Sequence, residues 1–356
     1  MTADNARHVL VGDRLDAIRG ILDERGASGA LLSTRKNFAW ATGGGENHVV
    51  LATDAGVAGL LVTRDEAVVL TAVNEAPRIA DEEVSDLPIE VRALPWHDEA
   101  AMTGEAKRLA GPSLLDDAAL EHALLPLRCR LAESEMERMR WLADRMMTAV
   151  GAALSETRAG MSEHEVAANA SHTLAAQGIR SPVLLAAADD RIGRYRHPLP
   201  TARRIERRLM LVLVAERWGL HAAVTRFAEL QPLGSDLTQR TAAVNGVHEA
   251  MVTATRPGQT LGDVIAAAQN AYAEAGYPDE WRLHHQGGII GYQGRERIAV
   301  PGDATEIRSD MAFAWNPSVA GAKAEETMLL HRDGPEVLTT AGRHPQVHAR
   351  GLRPSA

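Results

Sequence analysis

Cysteine is almost absent: Cys129 is the single thiol among 356 residues. One thiol cannot close an internal disulfide, so a disulfide framework and a cysteine-based zinc site are both excluded. Aromatic residues are scarce, at 4%. No apolar run reaches the length of about 18 residues that a membrane-spanning helix needs. The first ten residues, MTADNARHVL, lack a basic region followed by an apolar stretch, so a secretory signal is not expected. Lysine occurs three times and arginine supplies the rest of the 38 basic residues, a bias that reads as GC-rich coding rather than chemistry. Excess positive charge is also missing. The balance of 38 Lys+Arg against 47 Asp+Glu gives −9, which argues against nucleic acid or an anionic membrane as the main partner. What is present is ordinary: 45% hydrophobic and 24% charged residues, enough for a full core in a soluble, cytoplasmic protein of two domains.

The first 128 residues read as a small α/β domain. Leu15, Ile18, Ile21 and Leu22 recur at helical spacing between Arg14 and Gly26. Ala30-Leu31-Leu32, Val49-Val50-Leu51, Gly59 to Val62 and Ala67 to Leu70 read as strands, and Leu124 to Leu127 as a closing loop. A long helix then begins, with Ser134 and Glu137 as a capping box. Met136, Met139, Ala143, Met146, Val150 and Leu154 form its buried stripe.

Residues 129–356 contain an internal repeat. The stretch from Arg158 through Gly160, Ser162, Glu165 and Val166 is matched 98 positions later by Arg256, Gly258, Thr260, Asp263 and Val264. Each copy has a Ser/Thr cap with an acid three residues on, a helix, and a closing glycine, Gly178 or Gly276. The same offset pairs Gly193 with Gly291 and His197 with Arg295. Strands are expected at Leu209–Ala215, Gly219–Leu230, Met311–Pro317 and Glu325–His331. Two such halves predict a pseudo-twofold αβ sandwich with a site on its axis.

Six segments carry a resemblance: TRKNFAWATGG (34–44), YRHPLPT (195–201), ERWGLHAAVTRF (216–227), HHQGGIIGYQGRE (284–296), FAWNPS (313–318) and AKAEETMLL (322–330). Together they resemble the creatinase/aminopeptidase P/methionine aminopeptidase family. The resemblance implies an α+β protein: a creatinase-type α/β domain over 1–128, then a pita-bread domain over 129–356. Peptidases of this family hold two divalent metals with two Asp, one His and two Glu. Laid on this chain, those positions fall on Val212, Ala223, Gly288, Asn316 and Glu325. Only Glu325 retains a ligand. Val, Ala and Gly provide no donor for a hard cation, so neither the dinuclear metal site nor any cofactor is expected.

Creatinase supplies a metal-free precedent within the family. Its catalytic histidine matches His197, and its carboxylate-binding arginine matches Arg295. Its two guanidinium-binding glutamates fall on Thr225 and Asn316, so creatine is a poor substrate candidate. The resemblance therefore implies a metal-independent hydrolase of a C–N bond in a small carboxylate-bearing molecule. An imidazole can take and give a proton at neutral pH, which suits His197. Arg295 can clamp a carboxylate in two parallel hydrogen bonds. Glu325 would orient the imidazole or act as a base, with Arg226 packed beneath it. Substrate contacts are expected from Arg295, Asn316, Tyr292, Trp315 and the His284-His285 pair, of which a strand would aim only one, His284, at the site. Creatinase-like relatives pair as homodimers, which would bring Arg35 and Phe38 to the partner's site. Two alternatives stand beside this: an Xaa-Pro-type metallopeptidase with a metal site rebuilt from His197, His284, His285 and Glu325, and a non-catalytic peptide-binding module.

Overall fold

A computed structural model describes residues 3–340, and 341–356 of the expected second domain lie outside the described residues. The chain divides into two compact units, the first made of Met1–Arg128 with Trp218–Leu220, the second beginning at Cys129.

The first unit follows the order α1 (Ala3–Arg25), β1 (Gly29–Thr34), α2 (Arg35–Ala41), β2 (Ala55–Thr63), β3 (Ala67–Ala72), α3 (Ala76–Arg78), β4 (Glu90–Leu94), α4 (Ala101–Ala110), β5 (Leu114–Asp116) and α5 (Asp117–Arg128). Its mixed sheet has the order β4-β3-β2-β1-β5. β1 and β2 pair antiparallel with Leu31 opposite Leu61, and both side chains are buried. Two expectations fail here. Val49, Val50 and Leu51 form no strand and are exposed, because a short apolar triplet without sheet partners has nothing to pair with. Leu124 to Leu127 lie inside α5, where Leu120 and Leu124 supply the buried face. Phe38 is fully buried in its own unit, so it offers no surface to a partner. Arg35 opens α2 and donates to the carbonyl of Leu51 at 3.4 Å.

The second unit opens with α6 (Glu133–Glu156). All six stripe residues from Met136 to Leu154 are buried. Its N-terminus lies earlier than the Ser134 cap: the Ala132 N–H donates to the Glu135 carboxylate at 2.9 Å. Then come α7 (Glu163–Ala175), β6 (Arg180–Ala188), α8 (Asp190–Arg194), β7 (Arg208–Arg217), β8 (Leu220–Glu229), α9 (Ser235–Ala254) and α10 (Leu261–Glu274). The strands β9 (Gly287–Ile290), β10 (Arg297–Ile298), β11 (Met311–Trp315), β12 (Ser318–Val319), β13 (Ala322–Lys323), β14 (Glu326–His331) and β15 (Gly334–Val337) complete it. The repeat is visible in the caps. Ser162 Oγ accepts from the Glu165 N–H, and Thr260 Oγ1 accepts from the Asp263 N–H, each with the reciprocal carboxylate bond. Gly178 and Gly276 both adopt positive φ after these helices. The two halves build the sheets β6-β7-β8 and β10-β9-β11-β14-β15. A bridge between Thr225 and Glu325 links β8 to the start of β14.

Candidate functional site

Three segments of the second unit bring His197, His284 and His285 together. The first is the irregular stretch after α8. Glu163, fully buried at the start of α7, holds the chain just before α8 and again at the far end of this stretch. Its carboxylate accepts the Ala188 N–H at 2.7 Å, the Thr201 N–H at 2.9 Å and the Thr201 hydroxyl at 2.8 Å, and it pairs with Arg191. The second is the 3-10 turn Glu280–Leu283, which leads directly into His284. The third is the β12–β13 hairpin. Arg196 joins all three: its guanidinium donates to Ser318 Oγ at 3.0 Å and pairs with Glu280. Tyr272, buried on α10, fixes the next residues. Its hydroxyl donates to Gln286 Oε1 at 2.8 Å and accepts the Ser318 N–H at 2.8 Å.

The result is a cluster of imidazoles. His197 Nε2 and His284 Nε2 lie 2.9 Å apart, and the His284 and His285 rings stack at 4.4 Å. One ring nitrogen from each of the three lies within 4.8 Å of the others. The alternation expected for adjacent histidines fails because they precede β9 rather than sit in it. Gly287 follows with φ near +105°, so the chain does not keep strand geometry there. All three imidazoles are less basic than usual. Burial lowers His197, helped by Lys323. Burial takes His284 to about 3, with the neighbouring imidazoles and Lys323 adding to it. Burial and Arg295 take His285 to about 4. All three are therefore neutral near pH 7.

Beside them lies a second cluster. Glu325 is 3% exposed. Its Oε1 is 3.0 Å from Arg295 Nη2, and its Oε2 is 3.0 Å from Lys323 Nζ and accepts the Thr225 hydroxyl at 2.7 Å. Burial alone would raise this carboxyl, but Lys323, Arg295 and Thr225 outweigh it and hold it near 2. This corrects two expectations. Glu325 is no base at neutral pH and does not touch His197, because both oxygens serve cations and a hydroxyl. Arg295 spends Nη2 on Glu325 and Nη1 on the Gly294 carbonyl, so it is not a vacant two-pronged clamp, although its buried Nε has no partner. Arg226 meets the backbone of Glu325, donating to the Glu325 carbonyl at 3.5 Å, while its ion pair is with Glu326.

Other expected contacts belong to the core. Trp315 is fully buried and donates from Nε1 to Thr255 at 3.0 Å. Tyr292 is buried with its hydroxyl on Glu135. Neither forms a substrate wall. Asn316 is 2% exposed, and its Oδ1 has no partner. Lys323 escaped sequence reasoning. Its signal was rarity: one of three lysines in an arginine-rich chain, two residues before the retained glutamate.

The positions that correspond to the peptidase metal ligands do not fit two metals. Val212 packs with Leu185, Ala187, Ile192 and Met210. Ala223 is buried, and its N–H and C=O both bond Thr327. A Cβ on Gly288 would lie 2.0 Å from the Arg297 carbonyl oxygen, so no side chain enters there without a backbone shift. The one remaining carboxylate is engaged by Lys323 and Arg295.

Known proteins place the chain. Residues 14–129 match the creatinase/prolidase N-terminal domain, and residues 135–332 match metallopeptidase family M24. An Xaa-Pro dipeptidase of Pyrococcus horikoshii is 29% identical over 216 residues, 55% of this chain and 58% of that protein. A probable dipeptidase PepE of Mycobacterium tuberculosis is 31% identical over 125 residues, 33% of this chain and 32% of that one. The matches thus span about a third to just over half of these relatives' length. The crystal structure of a dipeptidase from Pyrococcus horikoshii superposes with a TM-score of 0.77 at 20% identity, covering 92% of this chain and 98% of the other. Identity at that level speaks to the fold alone.

Proposed function

The chain belongs to metallopeptidase family M24, and within it we propose a hydrolase of a C–N bond in a small carboxylate-bearing substrate, working without the two-metal centre. The observation that carries this reading is the Lys323–Glu325–Arg295 cluster beside three neutral imidazoles. Two cations against one carboxylate leave a net positive charge, and in a buried setting it attracts an anion strongly. A substrate carboxylate is therefore drawn to that side. His197 is the exposed member of the triad. It takes the proton of the attacking water and returns it to the leaving nitrogen as the C–N bond breaks. Dipeptides meet this chemical description, in keeping with the named activity of the Xaa-Pro dipeptidase relative. N-acyl and N-amidino amino acids meet it as well. The reading includes a homodimer, which light scattering at micromolar concentration tests directly; a monomer overturns that part.

The test is a panel of these three substrate classes with product detection by mass spectrometry. Turnover of at least one class is expected, reduced about 100-fold or more in His197→Ala. If no member of the panel is hydrolysed but peptides are retained in equilibrium dialysis, the enzyme reading fails and the peptide-binding one replaces it.

A further inference from the structure

We propose that His197, His284 and His285 form a site for one divalent metal ion of the imidazole-preferring kind, zinc or cobalt, sharing no ligand with the five positions described above. Zinc held tetrahedrally by imidazoles at about 2.0–2.1 Å requires nitrogens roughly 3.3 Å apart. The triad brackets that spacing, with 2.9 Å between two Nε2 atoms and 4.8 Å as the outer limit.

Three further observations point to a ligand here. The Nδ1 atom of His285 is buried without a hydrogen-bond partner, while His284 faces His197 through Nε2. Unmet buried polar atoms of this kind are met in proteins by an ion or by water. Among the described residues the ligand group holds histidines alone, and the neighbouring Glu325 is taken by Lys323, Arg295 and Thr225. Magnesium, calcium and manganese, which need oxygen ligands, are thus disfavoured against zinc or cobalt. His197 is exposed, so three protein ligands leave a coordination position facing solvent, the pattern of catalytic rather than structural zinc. The adjacent net positive charge of the Lys323 cluster makes affinity weaker than at a neutral pocket. When bound, such an ion acts as a Lewis acid toward a substrate oxygen.

The inference concerns metal binding and stands independently of the hydrolase reading, in which His197 acts as a free imidazole. Protein stripped with chelator is dialysed against zinc chloride or manganese chloride, and retained metal is counted per chain. One zinc and no manganese are expected, with a rise in thermal midpoint on zinc addition. His284→Ala and His285→Ala lower zinc affinity at least about tenfold, whereas His172→Ala on α7 leaves it unchanged. Circular dichroism separates lost sites from lost folding, and His197→Ala, at an exposed position, keeps the test open if the other variants unfold. Zinc uptake that is absent from folded wild type, or equal in the triad variants, overturns the inference. Zinc bound through the triad with no substrate turned over supports the inference and removes the hydrolase reading instead.

Discussion

The Lys323 ammonium stands 3.0 Å from one oxygen of Glu325, and the Arg295 guanidinium stands 3.0 Å from the other. Glu325 is the single metal-ligand position of the peptidases that keeps its carboxylate here. Two side-chain cations of the chain now flank it. Positive charge beside this carboxylate is thus part of the polypeptide.

Lys323→Met tests that relationship. It leaves Glu325 buried with one cation fewer, and breaking a buried pair from one side costs about 3–5 kcal/mol. A fall in stability of that order is expected in urea titration, together with loss of turnover. Lys323→Arg should recover part of both. Stability within about 0.5 kcal/mol of wild type in Lys323→Met would mean that the pair contributes little.

Acid unfolding reads the same carboxyl. Its folded value lies near 2, below the ordinary 4.5. A depressed carboxyl stabilises the fold above its unfolded value and loses that contribution as pH falls through the folded one. Stability should therefore decline between about pH 4.5 and 2, and Glu325→Gln should flatten this part of the profile. Equal acid profiles for the two proteins would contradict the assignment.

Glu163 sits away from the imidazoles yet holds the backbone on both sides of His197 through Ala188 and Thr201. Glu163→Gln keeps the volume but removes the charge that Arg191 pairs with. Buried hydrogen bonds to a charged group are worth about 1.5–3 kcal/mol each. The expected result is a lower kcat with a smaller change in KM, and faster proteolysis between residues 189 and 200. An unchanged kcat would assign Glu163 to the fold alone.

Much of this architecture is legible in the residues. The capping pairs Ser162–Glu165 and Thr260–Asp263 mark both repeat helices, because an N-cap bond needs only local chain. The buried strand Leu209–Ala215 is equally plain, since a continuous apolar run has few other solutions. The site was less so. His197, Arg295 and Glu325 stand out through the repeat and the motifs, but their partners depend on three-dimensional approach. Arg295 meets Glu325 across 30 residues. His284 and His285 join one cluster because Gly287 breaks the strand geometry that would have separated them. Trp315 and Tyr292 look like wall residues in sequence, and only burial shows them as core.

Gly288→His would reinstate the peptidase histidine in name. The Cβ it needs falls 2.0 Å from the Arg297 carbonyl oxygen and 3.0 Å from the Ala299 nitrogen. Backbone is less yielding than a side-chain tip, so the variant should melt several degrees lower and gain no second metal. A stable variant that binds two metals would show that β9 adapts.

The most direct measurement is the metal count of the folded, full-length protein. Metal-replete protein is dialysed and its zinc, cobalt, manganese and iron are measured per chain. The account predicts saturation at one, lost when the triad histidines are replaced. Two tightly held ions per chain, with activity abolished on their removal, would contradict it, because Val212, Ala223, Gly288 and Asn316 could not then be the poor ligands their chemistry makes them.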